Sequence, residues 1–152
     1  MVKAKKPKRN VGDVVKIQLQ DGYVSYAIVL PHALIAFFDY HGQDCLDVAQ
    51  AAQLPVLFRL LVMDYAVISG RWPIVGHVDP SPDLLTEPSF FKQDPISKKF
   101  FLYVGGRDFP ASREDIEGLE RAAVWDPEHV EERLIDHYAG RANKWSESMK
   151  IK

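Results

Sequence analysis

Residues 11–30 read VGDVVKIQLQDGYVSYAIVL, a pattern that specifies a two-stranded register by itself. Two runs rich in β-branched and aromatic residues flank Asp21-Gly22, a strong hairpin signal because a type I′ turn needs positive φ at both central positions. A two-residue turn there sets Leu19 opposite Val24, Ile17 opposite Tyr26 and Val15 opposite Ile28. One face is then apolar throughout, and the other carries Lys16, Gln18 and Gln20 against Ala27, Ser25 and Tyr23. A slip of one residue would exchange the faces, so turn and pattern specify one register. The expected β-hairpin must cover a core.

Beyond the hairpin, Leu34 to Tyr40 (LIAFFDY) is a continuous apolar run between Pro31 and Gly42, which predicts a central strand. Asp44 is expected to cap a short helix through Ala52, with Leu46, Val48 and Ala49 turned inward and Pro55 closing it. Val56 to Met63 (VLFRLLVM) reads as a buried strand in which Arg59 must find an edge or a partner. After the turn signal Ser69-Gly70, Trp72 to Val78 (WPIVGHV) reads as a strand that Pro73 confines to an edge or a start, with Trp72 as a core anchor. Asp79 to Pro95 holds Pro80, Pro82, Pro88 and Pro95 and predicts the longest, most mobile loop. Phe100 to Val104 (FFLYV) is the next strand, ending at Gly105-Gly106.

The last third changes to helical spacing. Ser112 and Asp115 form a capping-box-like start for a short helix to about Glu120. A second helix is better defined: Asp126 is its cap, Pro127 takes the first helical position, and Glu128, Glu131 and Glu132 sit at the positive end of the dipole. Val130, Leu134 and Tyr138 make its apolar stripe, and Gly140 stops it. Strands first and helices last predict one α+β domain over residues 11–140 with a mostly antiparallel sheet. A strongly curved sheet or an SH3-like partial barrel is the preferred form, between a flexible basic tail at 1–10 and a C-terminal tail at 141–152.

Charge is unevenly spread. Of 19 basic and 21 acidic side chains, Lys3, Lys5, Lys6, Lys8, Arg9 and Lys16 oppose only Asp13 in the first sixteen residues, leaving 13 basic against 20 acidic. The tail could touch nucleic acid or acidic lipid, or simply be a frayed, solubilising end. Cys45 is the only cysteine, which excludes an internal disulfide, a CxxC metal knuckle and a redox pair. No apolar run reaches the ~20 residues of a spanning helix, and Met1 to Arg9 lacks the apolar segment of a signal peptide. A soluble, cytoplasmic protein is expected.

Signals for chemistry are sparse. His32, His41, His77, His129 and His137 show no metal-ligand spacing, although His129 and His137 are near enough to one helical face to meet a common partner. Asp39, His41, Asp44 and Cys45 bring carboxylate, imidazole and thiol to the end of a strand, but a Cys-His nucleophile needs an activated thiolate that nothing in the sequence supplies. Gly105-Gly106-Arg107 reads as a tight turn rather than a phosphate loop, which would lead into a helix. No cofactor is expected. The clearest electrostatic feature is a band of nine acids from Glu114 to Asp136, answered within it by Arg121 and Arg133 alone. Such a surface repels phosphate and attracts a basic protein, or is merely a solvated helix face.

Taken together, VGDVVKIQLQDGYVSYAIVL, RWPIVGHV and AAVWDPEHVEERLIDHY resemble the immunity protein 26 family of bacterial polymorphic toxin systems. The likeness covers most of residues 11–138: a Gly-Asp strand start, an Asp-Gly turn and a Trp-x-Ile-Ile-Gly-like strand, matched here by Gly12, Asp13, Gly22, Trp72 and Gly76. Pro73 and Val75 depart from the pattern without disturbing its apolar spacing. The resemblance implies a non-enzymatic inhibitor that binds a cognate toxin domain; no membrane partner is expected. Combined with the acid band, it suggests a basic toxin docked on Glu128, Glu131, Glu132 and Asp136. The alternatives are a nucleic-acid-binding or regulatory module using the basic tail, and an enzyme centred on Asp39, His41 and Cys45.

Overall fold

The computed structural model describes residues 8–151, so the predicted tail residues Lys3, Lys5 and Lys6 lie outside the described residues. The hairpin forms from β1 (Asp13–Gln18) and β2 (Val24–Val29), but its register is one residue from the expected one: Val15 pairs with Ala27, Ile17 with Ser25 and Gln18 with Val24. Turn chemistry is the cause. Gly22 has φ 87° while Asp21 stays out of the left-handed region, so the two central positions of a type I′ turn are not available. Leu19 instead pairs with Tyr23 around a three-residue loop, with Gly22 N–H donating to Leu19 O at 3.1 Å and Leu19 N–H to Tyr23 O at 2.9 Å. This is a turn closed by a left-handed residue, the common three-residue hairpin.

The shift has a large consequence, because alternate residues of a strand face opposite ways. All six residues of β2 are buried. Ala27 and Val29 join Val15 and Ile17 on one face, and Val24, Tyr26 and Ile28 join Val14 on the other. Both faces of the sheet are covered, so the alternation that usually selects a register is absent from β2.

β2 runs antiparallel to β3 (Leu34–Phe38), and β3 to β4 (Val56–Val62). Edge strands β5 (Ile74–His77) and β9 (Val124–Trp125) complete a six-stranded sheet of order β5-β1-β2-β3-β4-β9, with only β4 and β9 parallel. The sheet is open between those two edges; the strongly curved, SH3-like form is not what the chain adopts. Arg59 finds its partner in Thr86 O at 2.8 Å. Trp72 is fully buried, as an anchor should be.

One face of this sheet packs under α4 (Pro127–Ala139), whose Val130 and Leu134 meet Phe37, Val62, Trp72 and Trp125. Asp126 caps this helix by accepting from Glu128 N–H, and Gly140 ends it with φ 71°. The other face is covered by α1 (Val48–Ala52) and by Phe90 of a second sheet, β6 (Phe90–Gln93), β7 (Phe100–Val104) and β8 (Arg107–Ala111). Two short helices, α2 (Tyr65–Ile68) and α3 (Pro82–Leu85), occupy connections.

Four local expectations are corrected. The cap of α1 is Asp47, which forms a reciprocal capping box with Gln50, and the buried residue is Ala51. The stretch Asp79 to Pro95 contains α3 and β6 rather than a continuous loop, β6 being held by its ladder to β7. Ser112 and Asp115 do exchange bonds at 2.9 and 3.2 Å, yet residues 113–118 form turns and no helix. Residues 141–152, expected as a tail, include α5 (Lys144–Ser148), and Trp145 and Met149 lie against the core beneath α4.

Candidate functional site

The acids singled out on α4 do not form a uniform surface. Glu131 is 7% exposed, and a buried carboxylate is tolerated only when paired and hydrogen-bonded. Its oxygens accept from Arg71 Nε at 2.8 Å, Arg71 Nη2 at 3.0 Å and Trp72 Nε1 at 2.9 Å. The bidentate fork is the strong form of such a pair, and the hydrogen bond to Glu131 raises the pKa of the Arg71 guanidinium. Glu131 thus ties α4 to the residues that lead into β5.

Glu128 stands outside this lock, 3.7 Å from Arg71 with two-thirds of its side chain exposed. Glu132 accepts from Trp145 Nε1 at 2.7 Å, and Asp136 from Asn143 Nδ2 at 2.9 Å and Arg141 Nε at 3.2 Å. Glu128, Glu131 and Glu132 converge with Gln20, Arg71 and Ile135 on a notch of about 160 Å³ between the β1–β2 turn and α4. Asp136 lies apart from it, at the α5 end. The notch is polar, with more negative than positive groups, and suits a cationic side chain.

The N-terminus of α4 is fixed by a bond that sequence reading missed. Tyr65 of α2 donates its hydroxyl to Asp126 Oδ2 at 2.6 Å. That bond pushes the Tyr65 pKa up to about 12 and holds the Asp126 carboxyl below its usual range. Nothing local in the sequence marks a pairing across sixty-one residues. The only signals are general: an Asp at a helix start and a Tyr able to reach it.

The motif residues have structural work. Asp13 is buried, accepts from Asn10 N–H at 3.1 Å and lies 3.2 Å from His77 Nδ1. Gly12 N–H donates to Val29 O at 2.8 Å, and its own carbonyl accepts from Val78 N–H at 2.9 Å. Gly76 admits Val48 of α1, whose methyl would collide with any Cβ there. Trp72 meets Phe37 edge-on at 5.7 Å.

The candidate catalytic cluster is not assembled. His41 bonds Asp21 Oδ2 at 2.7 Å and is stacked between Tyr23 and Tyr138, at 4.3 and 4.7 Å. Asp39 accepts instead from the Tyr138 hydroxyl at 2.9 Å. Burial and the Asp39 bond together raise the Tyr138 pKa. The Asp44 carbonyl accepts from the Tyr40 hydroxyl, and Cys45 Sγ is exposed, 3.2 Å from Lys16 Nζ; no hydrogen bond joins it to His41. His129 stacks on Trp145 at 3.6 Å and His137 meets Tyr138 edge-on, so the two do not share a partner. His32 lies 3.6 Å from Glu87.

Gly105 and Gly106 form the turn between β7 and β8, with Val104 paired to Arg107. The aromatic strands offer no stacking platform on the main sheet, because Phe37 and Phe38 are buried. Among the described residues no group of three or more His, Cys, Asp or Glu is placed to hold a metal ion, and no helix is long and apolar enough to cross a membrane.

No curated protein and no solved structure matches the chain. The family model described as Immunity protein 26 matches residues 10–102, which takes in β1 to β6, the Gly12, Asp13, Gly22, Trp72 and Gly76 motif, and the first part of β7. The match ends short of α4, so AAVWDPEHVEERLIDHY lies outside it. Spanning more than half of the chain, and including the β1–β2 hairpin, the match shows that this protein belongs to the immunity protein 26 family.

Proposed function

We propose that this chain binds a cognate bacterial toxin domain in the cytoplasm and neutralises it by covering its active site or substrate groove. Inhibition here is by contact alone. The family match over residues 10–102 carries the reading. The dispersal of Asp39, His41 and Cys45 onto separate partners also favours a binding role over a catalytic one.

The toxin surface is basic in this reading. Glu128 and Glu132 project from α4 beside the notch, and acids so placed speed the encounter with an oppositely charged partner. A nuclease toxin suits them best, because carboxylates can occupy positions that nucleic-acid phosphates would take.

The test is affinity capture of the partner from a lysate of the source cells with the tagged chain as bait, then co-expression of the chain with the captured toxin domain and association kinetics on the purified pair. Growth should be restored by the wild type. A Glu128→Lys/Glu132→Lys double variant should associate about tenfold more slowly at low salt, the difference shrinking as salt screens the charges. Glu131 is left intact because reversing it would break the bonds to Arg71 and Trp72. Failure of the wild type to bind or protect would overturn the toxin-binding reading; an unchanged association rate would overturn the acidic-surface part of it.

A further inference from the structure

A cleft of about 540 Å³ opens between the second sheet, the turns that follow Ser112 and the chain beyond α5. Sites for small organic molecules run from about 300 to 1,000 Å³, so one fits. Phe91, Ile116, Leu119, Met149 and Ile151 supply apolar walls. Phe91 faces away from the main sheet, because its neighbour Phe90 packs onto that sheet and alternate residues of a strand point opposite ways. Of the residues lining the cleft, Phe91 alone falls within the family match over 10–102. The cleft is a property of the last third of this chain.

Its charge runs against that of the surrounding protein, whose chain beyond residue 16 has more acids than bases. Arg121, Arg133 and Lys150 line the cleft with Glu120. Arg133 is spent on Glu120, in a bidentate pair at 2.9 and 2.7 Å, and Lys150 lies 2.9 Å from Glu147. Arg121 meets no carboxylate among the described residues. Its Nε and Nη2 donate to the Met149 and Lys150 carbonyls at 2.9 and 3.4 Å, and its guanidinium lies over the Phe91 ring at 4.8 Å. Those bonds occupy one fork of the planar group, while Nη1 and the second N–H of Nη2 form another, which matches the two oxygens of a carboxylate. A half-buried cation is left with its anion-binding edge unused.

From this juxtaposition we infer that the cleft binds a small amphipathic anion, an apolar body carrying one carboxylate. The carboxylate pairs with Arg121 and the body lies along Phe91, Leu119 and Met149. Pairing removes the uncompensated charge from an apolar surrounding, and burying the body of the ligand covers the exposed walls. Because Arg121 also holds the carbonyls of Met149 and Lys150, a bound anion joins the second sheet to the end of the chain. This site is independent of toxin binding and of the acids on α4.

The experiment is titration of the full chain with octanoate, and with octanol as the uncharged chain of the same length, read by backbone amide shifts and by thermal unfolding. Octanoate should move the amides around Phe91, Leu119 and Met149 saturably and raise the Tm, and octanol should bind about tenfold more weakly or worse. Arg121→Met keeps an apolar stem over Phe91 but no charge, and should bring the two ligands within about twofold of each other. That change also releases two carbonyls, so Leu119→Glu is the second variant: it leaves the Arg121 bonds in place, sets a carboxylate in the wall and should abolish octanoate binding. Shifts that are absent, or spread over exposed apolar residues such as Ile96, 92% exposed, would overturn the site. Octanol binding as tight as octanoate, or discrimination retained by both variants, would overturn the role of Arg121. Cleft amides that respond to the captured toxin and not to octanoate would reassign the cleft to protein docking.

Discussion

The chain contains two glycine-turned hairpins that are built in opposite ways. In β1–β2 every residue of the second strand is buried, whereas in β7–β8 residues Arg107 to Pro110 are all exposed. The turns differ as well. Gly105 and Gly106 both have positive φ, 57° and 82°, and close a two-residue loop with Val104 opposite Arg107. At Asp21-Gly22 only the glycine does, and the loop takes three residues. A glycine-containing dipeptide therefore announces a hairpin without fixing its loop length, and the loop length sets the register. In the exposed hairpin the two glycines decide alone. In the buried one the chain must satisfy cores on both faces, and the favoured solution is the one in which Tyr26 and Ile28 share a face with Val14.

The largest expected effect tests the difference in burial. Ile28→Ala in β2, where the side chain is 1% exposed, should cost about 2–5 kcal/mol through lost transfer energy and a cavity. Phe109→Ala in β8, 46% exposed, should stay within about 0.5 kcal/mol as surface changes do. Urea unfolding of both would break the comparison if the two costs were similar.

A smaller effect of opposite sign comes from Ser25. It is fully buried opposite Ile17, and its hydroxyl is the one buried side-chain polar atom among the described residues without a hydrogen-bond partner. Removing an unsatisfied group recovers its desolvation cost, so Ser25→Ala should stabilise by about 1 kcal/mol. A loss of stability on thermal unfolding would mean that the hydroxyl has a partner in solution.

The smallest expected effect is the most discriminating for the register. Deleting Gln20 leaves Asp21-Gly22 as a two-residue loop between Leu19 and Tyr23, which are already paired. Stability should change by no more than about 1 kcal/mol, because the ladder beyond is untouched. Had Gln20 been paired with Tyr23, the same deletion would turn β2 over and unfold the protein. Amide exchange protection across β2 in the deletion variant distinguishes the two outcomes.

What could be read from residues alone were features whose cause is local. The strands at Leu34 and Phe100 follow from unbroken apolar runs, the strand at Val56 from an apolar run broken by Arg59, and α4 from Asp126, Pro127, the Val130–Leu134 spacing and Gly140. β6 was hidden among prolines, and β8 contains Pro110, which is tolerated because the strand lies at a sheet edge. Ser112 and Asp115 show the limit of a local signal: the capping bonds form, but no helix propagates from them. A cap satisfies terminal donors, whereas a short helix draws most of its stability from a packed face.

The same division runs through the candidate site. Sequence determined which side chains on α4 are acidic and that its helix begins at Asp126. Only tertiary structure decided that Glu131 is locked beneath Arg71 and Trp72, that Tyr65 holds the helix start, and that Glu128 keeps two-thirds of its side chain exposed. Charge and periodicity are properties of neighbours along the chain, while burial and long-range pairing depend on what the fold brings from sixty residues away.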